Sequence, residues 1–137
     1  MALFGLFGRK NIGYSSPWLH LTVVYATSPE GLAAEHAFVL RGKVIVSHPI
    51  DFEFIQSGAF LAFFPGTAEG LRAGTQLAEA LRAVARDHAI PAFGVSVLQG
   101  ECLAQMHGTA RFVAKPVGKV ITQTRDLAIL EANAAAR

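Results

Sequence analysis

Three short segments of this 137-residue chain gather side chains able to bind or react. The first, H-P-I-D-F-E-F, carries His48, Asp51 and Glu53. In an extended segment positions 51 and 53 share a face, which would aim both carboxylates the same way. Closed metal sites need a fuller ligand set, so the two acids read as solvated side chains on the outer face of a strand. The second, C-L-A-Q-M-H, offers Cys102, Met106 and His107, donors suited to a soft metal. The third, K-P-V-G-K, places Lys115 and Lys119 around a glycine, with Arg111 just upstream. It lacks the other glycine and the Ser or Thr of a phosphate-binding loop. The histidines and serines show no spacing that marks a nucleophile and its base.

Positioning these segments takes an alternation of strands and helices. Residues 19–26 are β-branched and apolar, which predicts a buried strand. Residues 29–40 suggest a short helix with Leu32, Ala33, His36, Ala37 and Leu40 on one side. Residues 43–48 and 51–56 read as extended, and Ser57-Gly58 as a tight turn into a strand over 60–64. The clearest helix covers 67–88. Thr67 caps it, Glu69 sits in its first turn, and Leu71, Leu77, Leu81, Val84 and His88 recur at helical spacing before Pro91. Residues 93–98 and 111–115 are further strands. A closing helix over 118–135 carries Val120, Ile121, Leu127 and Leu130. The order β-α-β-β-α-β-β-α predicts an α+β sandwich, a mostly antiparallel sheet with helices on one face. Phe52, Phe54, Phe60, Phe63 and Phe64 alternate over two adjacent strands as core and interface.

Composition narrows the partners. The chain is 52% hydrophobic, more than a domain of this size buries internally, so homo-oligomerisation, most simply a dimer, or a protein partner is expected. A net charge of +2 spread over scattered bases argues against nucleic acid. The single Cys102 excludes an internal disulfide; with no visible cleavable leader, the cytoplasm is the expected location. No apolar run is long enough to span a bilayer. Residues 1–17 form an amphipathic segment and linker ahead of one domain over 18–137. Leu3, Phe4, Leu6 and Phe7 precede Arg9 and Lys10, which would suit weak contact with the inner face of a membrane, or docking on protein.

The stretch S-V-L-Q-G-E-C-L-A-Q-M-H-G, followed by R-F-V-A-K-P-V-G-K-V-I-T-Q-T-R-D-L, resembles the C-terminal half of a class III nucleotide cyclase catalytic domain. There, G-I-H-x-G-E-V leads through a hairpin to I-G-x-x-V-N-x-A-x-R-L. The resemblance reaches back through F-L-A-F-F to H-L-T-V-V-Y-A-T. It implies a ferredoxin-like sheet, trimmed to one short helix between the first two strands. It also implies two magnesium ions held by aspartates, at the positions of Thr27 and Gly58, and an Asn and an Arg at those of Thr122 and Asp126. None of these four residues is the one the family uses. A threonine is a weak neutral ligand, a glycine has no side chain, and an aspartate repels phosphate. Asp51 and Glu53 lie away from the turn, and Arg125 is offset from Asp126 by about 100° of helix, so neither rescues the site. In the same frame Cys102 becomes a buried strand thiol and His107 a turn histidine.

The expectation is therefore a degenerate cyclase-like module, without enzyme activity, metal or cofactor, acting through association. Two alternatives stand beside it. One is a metal-free sensor of a nucleotide-like ligand with Arg111, Lys115 and Lys119 as anion contacts. The other is an enzyme of unrelated chemistry on the same scaffold.

Overall fold

A computed structural model describes residues 18–55, 58–107 and 111–135. The segment expected over 1–17 lies outside them, as does Ser57. Strand β1 (Trp18–Thr27) is followed by α1 (Ala34–Val46), β2 (Asp51–Ile55), β3 (Ala59–Pro65), α2 (Ala68–Asp87) and β4 (Gly94–Leu103). A two-stranded hairpin, β5 (Met106–His107) and β6 (Arg111–Phe112), leads to α3 (Lys119–Ala135). The four main strands form one antiparallel sheet in the order β2-β3-β1-β4. This is the α+β, ferredoxin-like arrangement expected. Strand β1 lies inside the sheet, pairing with β3 on one side and β4 on the other.

Alternation along β1 divides the core. Val24 and Ala26 join Phe60, Ala62 and Phe64 beneath α1 and α2, where Leu40, Val44, Leu77 and Leu81 are buried. Leu21, Val23 and Tyr25 join Leu61, Phe63 and Cys102 on the opposite face, against Val120 and Ala128 of α3. The helices, expected on one face, are split between two: α1 and α2 share one, and α3 crosses the other, where Val120 and Ala128 cover Val23 and Leu21. The β5–β6 hairpin carries the chain over, with Phe112 edge-on to Phe63 at 5.3 Å between ring centres. Helix α3 buries Val120, Thr124, Ala128 and Ala132, one residue per turn, while Leu127 and Leu130 point outward. Small side chains let it sit close. A Cβ added to Gly94 would stand 2.0 Å from the Ala128 carbonyl oxygen.

Other boundaries also differ. Residues 43–46, expected to be extended, continue α1, because Val44 lies one turn beyond Leu40 and drops into the same core. Packing there outweighs the strand preference of Val44, Ile45 and Val46. The helix ends where Ser47 Oγ donates to the Val44 carbonyl (2.6 Å) and His48 turns left-handed at φ 54° ahead of Pro49. Helix α2 begins as expected, the Thr67 hydroxyl accepting from Gly70 N–H at 3.0 Å. Leu71 stays largely exposed. Strand β4 runs to Leu103, paired with β1 along its whole length.

At the β4 edge, Arg82 of α2 and Glu131 of α3 meet at 2.9 Å. Arg82 donates to the Val95 carbonyl (2.8 Å) and Glu131 accepts from Val95 N–H (3.1 Å), so this pair satisfies both outward backbone groups of an edge residue. Burial alone would raise the Glu131 carboxyl, but hydrogen bonds from Arg82 and Val95 bring it below the ordinary carboxylate range.

Candidate functional site

Helix α3 covers the β1–β4 half of its face and leaves the β2–β3 half to the loop after β6. A cleft of about 360 Å³ opens there, lined by Asp51, Glu53, Phe63, Phe112, Lys115 and Pro116 among others. Register places it: Asp51 pairs with Phe63 and Glu53 with Leu61, so both acids project toward this face. They are not the solvated outer pair expected. Asp51 accepts from Phe52 N–H at 2.8 Å and from Phe112 N–H at 3.4 Å, tying the hairpin to the edge strand. Glu53 forms an ion pair with Lys115.

Two strands inward on the same cross-sheet row lies Tyr25, opposite Leu61. Its phenol is raised above the ordinary tyrosine value by burial; the Arg125 charge opposes this and the Glu53 charge adds to it. Arg125 itself turns to its neighbour, its guanidinium 3.1 and 3.2 Å from Asp126 Oδ1. Thr122 and Asp126 are both exposed on α3. Among the described residues no hydrogen bond or ion pair joins them to Thr27 or Gly58.

Thr27 ends β1, buried, opposite Ala59 and Gly94. Ser28 N–H donates to the Gly58 carbonyl at 2.8 Å, so the strand end and the β2–β3 turn are adjacent. Gly58 has φ 86°, and a Cβ there would lie 2.9 Å from the Ser28 carbonyl oxygen. The buried Ser28 Oγ donates toward the Gly31 and Pro91 carbonyls (3.1 and 3.2 Å). The site is therefore closed by backbone and hydroxyl groups.

Lys115 is neutralised by Glu53, Lys119 is exposed at the start of α3, and for Arg111 only the backbone, paired with His107, is described. Cys102 is fully buried, and burial pushes its thiol up to about 11, with Glu101 adding to the effect. Among the described residues no group of three His, Cys, Asp or Glu side chains is placed to hold a metal ion, and no helix is long and apolar enough to cross a membrane. Sequence reasoning missed Tyr25 and the cleft. The alternation V-V-Y-A-T places Tyr25 on the α3 face once the strand register is known, but nothing local shows that α3 stops short of β3.

No family model matches the chain, and no curated protein matches it in sequence. Its fold is similar to that of a guanylyl cyclase crystal structure, with TM-score 0.54 and 14% identity over 88% of this chain and 79% of that one. It is also similar to a bacterial light-regulated adenylyl cyclase, with TM-score 0.51 and 14% identity over 82% of this chain. The chain spans 40% of the length of that light-regulated protein. At such identity the likeness is one of fold, and it is a cyclase-like fold.

Proposed function

We propose that this protein is a cyclase-like module that works by association rather than turnover, pairing with a second copy or regulating a protein partner. The observation that carries this reading is the turn at Gly58. Turnover of a nucleoside triphosphate by two magnesium ions needs paired carboxylates at the strand end and the neighbouring turn. Those two positions are adjacent here, yet one holds the neutral hydroxyl of Thr27. The other holds a glycine whose positive φ and 2.9 Å approach to the Ser28 carbonyl oxygen leave no room for a side chain unless the turn moves. Glu53 is engaged by Lys115, and Asp126, at the position where the resemblance implies an arginine, is itself paired with Arg125.

Association is supported by α1, which is apolar on both its sides. Leu40 and Val44 face the core, while Phe38, Ile45 and Val46 are exposed on the outside. A helix of that composition ordinarily has both sides covered. Purified protein given ATP or GTP with magnesium or manganese should form no cyclic nucleotide. Sedimentation velocity should show twice the chain mass. Metal-dependent product above the protein-free blank would overturn the non-catalytic reading. A monomer at every concentration would overturn self-association.

A further inference from the structure

The geometry points to a binding site for a small organic ammonium ion in the cleft between β2 and the loop after β6, with Asp51 as its anchor. This goes beyond the association reading and does not depend on it. Among the described residues three charged groups line the cleft, and two of them cancel: Glu53 is paired with Lys115. Among those same residues Asp51 meets no cation, and its carboxylate accepts two backbone N–H groups, from Phe52 at 2.8 Å and Phe112 at 3.4 Å. One of these contacts is long, and a carboxylate has about four acceptor sites, so lone pairs remain for another donor. A cation entering the cleft would meet a carboxylate with acceptor capacity to spare, and a charge-assisted hydrogen bond is the stronger kind.

The walls suit the same ligand. Phe63 and Phe112 meet edge to face, and Val113 and Pro116 complete an apolar lining. Aromatic faces attract ammonium groups and accept an apolar body. A cavity of about 360 Å³ holds a ligand with a one-ring body. The chemistry thus runs opposite to the anion site expected from Lys115: with that ammonium neutralised, the surplus charge of the cleft is negative.

Phenethylamine and phenylacetate, alike in shape and opposite in charge, test the idea by calorimetry and thermal shift on the whole protein. Phenethylamine should bind at millimolar concentration and raise Tm, and phenylacetate should not. Asp51→Asn keeps the side-chain shape and should weaken amine binding about tenfold. Lys115→Ala frees Glu53 and should strengthen it about threefold. A merely structural role for Asp51 would not give opposite signs for the two variants. Should Asp51→Asn fold poorly, the gain in Lys115→Ala carries the test alone. Equal binding of both probes, binding by neither, or no strengthening in Lys115→Ala would overturn the proposal.

Discussion

The two faces of the sheet are filled by opposite means. Beneath α1 and α2 the space is taken up by bulk: Leu40, Leu77, Leu81, Phe60 and Phe64 interdigitate between helix and sheet. Beneath α3 there is little space to fill, because the helix backbone itself comes down onto Gly94 and the Val120 side chain sits directly on Gly100. One face is held by side-chain volume and the other by backbone proximity. Helix α3 can approach so closely only because the residues between it and β4 are small. That closeness also confines it to the β1–β4 half and leaves the other half for the cleft.

The contrast makes each face sensitive to a different kind of change. Leu81→Ala, at a fully buried position, should leave a cavity and cost about 3 kcal/mol in denaturant unfolding. Gly94→Ala should do nearly as much damage by adding one carbon. Its Cβ would meet the Ala128 oxygen at 2.0 Å and the Ala132 nitrogen at 2.5 Å, both backbone atoms, for a loss of about 2 kcal/mol. If Gly94→Ala were neutral, α3 would not be held by proximity. The same substitution at Gly42 serves as the control. A Cβ there meets nothing within 4 Å, and a helix-interior glycine gives way to alanine with a gain of about 0.5–1 kcal/mol, visible as a higher Tm.

The smallest effect is electrostatic. Glu131 has a lowered carboxyl in the folded protein, so its contribution is present at neutral pH and is lost as pH falls through the carboxylate range. Unfolding midpoints should fall more steeply between pH 7 and pH 3 in the parent than in Glu131→Gln, the two curves converging at the acid end. The difference is modest because both partners are more than a third exposed.

Much of the sheet was legible in the sequence because its signals are local. Thr67 announces a cap, the run around Val23 a buried strand, and Gly58 a turn. Features set by remote contacts were not. Val44, Ile45 and Val46 carry strand preference and join a helix because Leu40 is already committed to the core. Leu127 and Leu130 look like core residues, yet the inward line of α3 is made of small ones, chosen by the glycines of β4. The positions of Thr27 and Gly58 came from resemblance and do lie side by side. The cleft was hidden for a different reason. Lys115 and Glu53 are distant in sequence, and their pairing, which reverses the charge expected of the site, depends on where the last hairpin folds.

Cys102 follows from the same close packing. The lone thiol lies in the layer under α3, unexposed and far from ionising at neutral pH. An alkylating reagent reaches it when the packing around that layer opens, and the accumulated irreversible mass increase then reports how often the thiol is uncovered. The molecule thus carries an internal clock for its own breathing, and following that clock needs no label and no engineered residue.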